Sequence, residues 1–159
     1  MTSSNSFYVT RFSNASQEIY ENNTHADFTV KLSRTIDLGN PPNLEVGVCE
    51  VSFSTPPLEY LNSVEVMPCA DHTIIYFNLI SPQFVGGSTF CCLLTFPTSS
   101  CRYYEFRNVQ YVQVEQRRFQ SIRVEFLTLE GPHVPFEDST TPTKPVFYFR
   151  KYYLWKFLL

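Results

Sequence analysis

An all-β fold is predicted for this chain by three observations. Aromatic residues make up 16% of its 159 residues, with 15 Phe and 10 Tyr. Such side chains suit a pleated, half-buried surface better than a helix. Apolar residues recur with a period of two along most of the sequence, and Pro or Gly turn signals interrupt them at short intervals. Together these point to a β-sandwich or barrel of eight or nine strands, topologies that periodicity alone does not separate; a single jelly-roll β-sandwich of about eight antiparallel strands fits the count and the length.

The elements follow in order. Residues 7–11 suggest a short first strand. Residues 11–22 hold Phe12, Ile19 and Tyr20 among polar residues, too sparse for a helix, and are expected as loop. Phe28, Val30 and Leu32 alternate with Thr29 and Lys31, which marks a strand with one buried face. Leu44, Val46 and Val48 share one phase, whereas Cys49, Val51 and Phe53 fall on the other. A phase switch within one run predicts a β-bulge near residues 47–50, or a strand buried on both faces. Pro56-Pro57 ends that run, and residues 64–67 suggest a short strand. Residues 73–80 are nearly all apolar, which suits a central strand. Pro82 and Gly86-Gly87 close it. Residues 90–96 and 103–114 are the next strands, the second with Asn108 as a possible bend. Ile122, Val124 and Phe126 alternate with polar neighbours. A Gly-Pro turn and Val134-Pro135-Phe136 follow, then a Ser/Thr/Pro loop and a last strand over 146–152. The expected organisation is an N-terminal arm and loop over 1–27, a jelly-roll domain over 28–152 and an apolar tail over 153–159.

Composition excludes several function classes. The formal charge of −3 gives no clustered positive field for nucleic acid, so no direct nucleic-acid partner is expected. No apolar run approaches the roughly 18 residues of a membrane span. The five cysteines are odd in number and contain no Cys-x-x-Cys, and MTSSNSFYV lacks a basic region followed by an apolar core. A reducing, intracellular site of synthesis, without a signal peptide, is therefore expected.

Catalytic patterns are also sparse. His25, His72 and His133 lie in separate loops, whereas zinc needs three or four convergent ligands. Asp71-His72 is the only close acid–histidine pair, and it reads as a turn before a strand. Cys91-Cys92 sits in an apolar strand, where neighbours point to opposite faces, so buried inert thiols are expected. Glu45, Glu50, Glu59 and Glu65 are scattered. Gln116-Arg117-Arg118 reads as a solvated turn between strands. There is no G-x-S-x-G turn or Walker loop. No enzyme activity, catalytic residue, metal or other cofactor is expected.

Four segments, in order, resemble the small capsid protein of Polinton/Maverick elements and their adintovirus relatives. They are SFYVTRFSNAS, YENNTHADFTVKLSRTIDLGNPPNLEVGVCEVSF, NLISPQFVGGS with the later NVQYVQV, and VPF before the last loop with VFYFRK after it. The chain departs from that family's pattern in the loop DSTTPTKP, where relatives carry a more Gly-containing turn, and in the short stretch between Pro56 and Asp71. The resemblance implies a single jelly-roll penton, or minor capsid, protein located in the virion. Its implied partners are four further copies of itself in a homopentamer at five-fold vertices, and the trimeric major capsid protein. The family offers no catalytic residue to carry over.

Ring assembly requires one surface of a subunit to meet a different surface of its neighbour. The apolar residues that a core of this size can spare are the candidates. These are Phe7, Tyr8 and Phe12 in the N-terminal arm, and Tyr152, Tyr153, Leu154, Trp155, Phe157, Leu158 and Leu159 in the tail. The plainer reading of the tail is that it folds back on its own sandwich. Two other functions compete: a monomeric jelly-roll or C1q/TNF-like module that recognises a receptor or glycan, and a cupin-like enzyme. The enzyme is disfavoured because no His-rich metal constellation is visible.

Overall fold

A computed structural model describes residues 6–39, 43–53, 72–85, 87–99, 101–129, 133–136 and 141–151. Eleven strands form among them, and no helix. They are β1 (Ser6–Thr10), β2 (Asp27–Asp37), β3 (Leu44–Ser52), β4 (His72–Phe77), β5 (Gln83–Val85), β6 (Ser88–Phe90), β7 (Cys92–Pro97), β8 (Tyr103–Glu105), β9 (Val112–Gln113), β10 (Arg118–Thr128) and β11 (Lys144–Lys151). The strand suggested at 64–67 lies outside the described residues.

Two antiparallel sheets face each other. One has the order β1-β11-β3-β8, with β9 also pairing β3; the other runs β2-β10-β4-β7. The β5–β6 hairpin stands apart as a two-stranded ribbon. The pairing is nested. β1 pairs β11, β2 pairs β10, β3 pairs both β8 and β9, and β4 pairs β7. The chain therefore behaves as one long hairpin, whose two halves meet strand by strand. Rolling that hairpin adds the pairs β3–β11 and β4–β10, and splits alternate strands between the sheets.

The core follows the alternation in the sequence. Phe28, Val30 and Leu32 point inward from β2, and Ile122, Val124 and Phe126 from β10. Phe77 meets Phe147 across the sandwich with ring centroids 4.7 Å apart. Phe53 packs edge-on to Phe126 at 5.5 Å and stacks on Phe136 at 5.2 Å. Each such pair contributes about 0.5–1.5 kcal/mol beyond the apolar area it buries. The VPF segment is a plug: Val134 is buried, its N–H donates to the Phe126 carbonyl, and Phe136 closes over Phe53.

The phase switch in β3 is a bulge at Cys49. Phe147 pairs Val48 while Val146 pairs Glu50, so Cys49 has no partner across the ladder. That single extra residue returns Val51 and Phe53 to the core, where both are buried. Residues 103–114 are not one continuous strand. They break into β8 and β9, and residues 106–111 arch between them. The reason lies at Gly47. A Cβ there would stand 2.3 Å from Val109 Cγ1 and 2.7 Å from the Gln110 carbonyl oxygen. The arch crosses β3 where only a hydrogen atom leaves room for it.

Candidate functional site

Outward positions on the four-stranded sheet hold an ionic network. Asp27 on β2 lies directly across the ladder from Glu125 on β10. Arg123, two residues before Glu125, shares that face by alternation. Its guanidinium grips Asp27 with two bonds, Nε to Oδ1 at 3.1 Å and NH2 to Oδ2 at 3.0 Å. NH2 also donates to Glu125 Oε1 at 3.2 Å. His133 enters from the VPF loop, held there by the Leu127–His133 bridge. Its Nε2 stands 2.9 Å from Glu125 Oε1 and 3.7 Å from Asp27 Oδ2. The bidentate Asp27 contact holds the Arg123 proton more tightly than usual.

Asp27, Glu125 and His133 place ligand atoms within 4.8 Å of one another, as a cation site would. Arg123 NH2, however, already bonds the two carboxylate oxygens that face His133. The guanidinium is the cation that this cluster holds, and a metal ion would have to displace it.

Beside the network runs a cleft of about 490 Å³, between the loop before β2 and the outer face of β2 and β10. Tyr20, Asn22, Asn23, Asp27, Thr29 and Arg123 are among its lining residues. The same loop seals the open edge of β2. The Asn23 amide accepts from the Thr29 N–H and donates to the Thr29 carbonyl, both at 2.8 Å, as a neighbouring strand would. Ser16 Oγ accepts from the Lys31 N–H at 3.0 Å. Side chains thus occupy backbone groups that an edge strand otherwise offers to another chain.

Outward positions on the five-stranded sheet are aromatic instead. Tyr8 on β1 pairs with Tyr148 on β11, and their rings lie 4.6 Å apart. Tyr148 meets Tyr111 of the arch edge-on at 6.3 Å. Arg150 covers the Tyr111 ring at 3.5 Å and donates from Nε to Glu45 on β3. Gly47 pairs with Tyr148 and lets Tyr111 approach this row. Burial raises the Tyr111 phenol above its ordinary value, and nearby Arg150 opposes that shift.

The residues singled out from sequence divide as follows. Phe7 stacks on Phe149 at 4.9 Å, against the protein's own core. Tyr8 and Phe12 are exposed at 67% and 43%. Tyr152, Tyr153, Leu154, Trp155, Phe157, Leu158 and Leu159 lie outside the described residues, as does Asp71. His25 is taken up by a structural knot. Its Nδ1 stands 2.9 Å from Ser13 Oγ, which accepts from the Thr143 N–H, and Ser13 is buried. A buried hydroxyl so placed ties the loop to the start of β11 and presents no nucleophile to solvent. Cys92 is buried, and burial raises its thiol and those of Cys49 and Cys91. Gln116 and Arg117 donate to the carbonyls of Asn78 and Gly39 in an exposed turn.

Sequence reasoning missed the cluster of Asp27, Arg123, Glu125 and His133. Only the Arg123–Glu125 spacing was visible in the sequence; strand register supplies the rest. No helix among the described residues is long and apolar enough to cross a membrane. Compared with protein-family models and with curated proteins, the chain matches none.

Proposed function

We propose that this protein is a single jelly roll that serves as a structural capsid subunit, a penton or minor capsid protein. Five copies would close a ring at the five-fold vertex of an icosahedral shell, against the major capsid protein. The observation that carries this reading is the strand order. With the β5–β6 ribbon set aside and β8 and β9 counted as one broken edge strand, the sheets run first-eighth-third-sixth and second-seventh-fourth-fifth. That is the order of a long hairpin rolled into two Greek keys, an architecture that viral capsid proteins use widely. The resemblance of four ordered sequence segments to Polinton and adintovirus small capsid proteins supports the same reading. So does the exposed apolar surface at Tyr8 and Phe12.

Mass in solution tests the proposal. The expected result is a species five times the monomer mass of 18.5 kDa, lost when residues 152–159 are deleted. A strict monomer at high concentration, with and without the tail, would overturn it.

The cleft beside Asp27 and Arg123 favours one other reading, a recognition module for a glycan or receptor. Its volume falls in the range of small-ligand sites, and Tyr20 with Asn22 offers a ring face and an amide. Saccharide titration of the parent and of Tyr20→Ala separates the two functions. Binding by the parent that the substitution abolishes, in a protein that stays monomeric, favours the module.

A further inference from the structure

Strand β2 ends the four-stranded sheet, so one side of its backbone faces away from β10. The loop before β2 covers that side. Thr24 donates its N–H to the Asp27 carbonyl at 2.8 Å and accepts the Asp27 N–H on Oγ1 at 3.0 Å. The Asn23 amide bonds both the N–H and the carbonyl of Thr29, and Ser16 Oγ accepts the Lys31 N–H. Asp27, Thr29 and Lys31 each turn an N–H and a carbonyl to that side by alternation. The loop therefore holds five of these six groups, and the Lys31 carbonyl is the sixth.

Those six groups are the ones an antiparallel partner strand requires. The residues that carry them are also complementary to themselves. A second β2, antiparallel to the first and centred on Thr29, sets Thr29 opposite Thr29 and Asp27 opposite Lys31 at both ends. Alternation keeps these three side chains on the outward face. Phe28 and Val30, both buried, fall opposite each other on the inward face and continue the core. Threonine pairs and opposite-charge pairs directly across a ladder are both favourable. Lys31 is exposed and makes no ion pair among the described residues, so it is available to the second copy's Asp27. The other charged residues of β2, Arg34 and Asp37, lie past the end of the second strand in this register. Glu18 and Glu21 belong to the covering loop itself.

We infer that β2 encodes a two-fold contact with a second copy of this chain, and that the loop before it is the guard that withholds this contact. Displacing the loop exchanges its side-chain hydrogen bonds for a strand ladder and joins two four-stranded sheets into one of eight strands. The contact is isologous, the same patch on both copies. It is independent of the ring proposed above, which needs two different surfaces.

Removing the guard's side chains tests it, read as mass in solution with far-ultraviolet circular dichroism as the folding control. Ser16→Ala with Asn23→Ala is expected to add a pairwise contact. A monomeric parent becomes a dimer, and a parent that forms rings links ring to ring. In that background Lys31→Asp sets like charges opposite each other at both ends of the ladder. It is expected to weaken the new contact about 30-fold, whereas Lys31→Arg retains it. Should the double variant not fold, Asn23→Ala alone frees the central Thr29 pair, and the same outcomes apply. A folded, unguarded chain with the parent's mass overturns the inference. So does association that Lys31→Asp and Lys31→Arg leave equally strong, since it uses another surface. The parent's own mass decides the capsid reading separately.

Discussion

On the four-stranded sheet the outward positions Asp27, Arg123 and Glu125 hold a network in which one guanidinium bonds both carboxylates. On the five-stranded sheet the outward positions Tyr8 and Tyr148 hold a row of rings that ends in Tyr111 and Arg150. Both faces arise from the same two-residue alternation. They differ in what crosses them. The loop before β2 and the VPF segment bring Tyr20 and His133 to the ionic face, and both come from chain outside the sheet. The arch between β8 and β9 lies on the aromatic face because Gly47 admits it. A sheet face thus acquires its chemistry as much from the connections laid over it as from its own strands.

The largest effect is expected at Gly47. Gly47→Val places atoms where Val109 and the Gln110 carbonyl stand, and backbone cannot yield as a side-chain tip can. Overpacking of this kind costs about 3 kcal/mol. Urea unfolding would register it as a lower midpoint with an unchanged slope. A variant as stable as the parent would mean that the arch lifts freely from β3, and the account of the aromatic face would be wrong.

Arg123→Ala comes next. It leaves Asp27 and Glu125 facing each other without their cation. The network is half exposed, so solvent screening holds the loss to about 1 kcal/mol. It should shrink in 1 M salt, where the Debye length is about 3 Å. A loss unaffected by salt would mean that Arg123 acts through packing of its stem instead of its charge.

Tyr8→Ala should cost less than about 0.5 kcal/mol in a monomer, because the ring is largely in water and loses only its contact with Tyr148. A larger loss would make the aromatic row a structural element rather than an available surface.

The smallest effect is a shift of two phenols. Tyr76, opposite Glu125 on the ionic face, is raised above its ordinary value of 10.0, first by burial and then by neighbouring negative groups, while Arg123 pulls it down. Tyr111 on the aromatic face is raised by burial, with Arg150 opposing. Removing Arg123 should raise Tyr76 further and leave Tyr111 unmoved; Arg150→Ala should do the reverse. Absorbance titration at alkaline pH reads both. Since the unfolded chain gives up these protons first, stability falls as pH rises from about 10 through the folded-state values. Equal movement of both phenols in either variant would show that the two faces are not electrically separate.

Much of the fold was legible in the sequence because burial in a sandwich is local and periodic. Phe28, Val30 and Leu32 announce an inward face before any partner strand is known; the phase change at Cys49 announces a bulge or a strand buried on both faces, and the β3–β11 register decides for the bulge. The break in residues 103–114 was not legible. Its cause is the missing side chain at Gly47, distant in sequence, and no periodicity reports what will lie on the far side of a glycine. The ionic cluster was hidden for a related reason. Asp27 and Glu125 are brought opposite by β2–β10 register, and His133 by a single bridge to Leu127. In sequence they are an acid in a loop, an acid in a strand and a histidine after a turn.

By itself, then, the sequence determined the all-β class, most strand positions, the inward faces and the phase switch in β3, since each depends on the alternation of neighbouring side chains. Only the tertiary structure decided the nested strand order, the arch over Gly47, and the guanidinium that fills the Asp27–Glu125–His133 cluster. Those depend on which distant strands become neighbours. That choice is made by the packing of the whole core, not by any segment read alone.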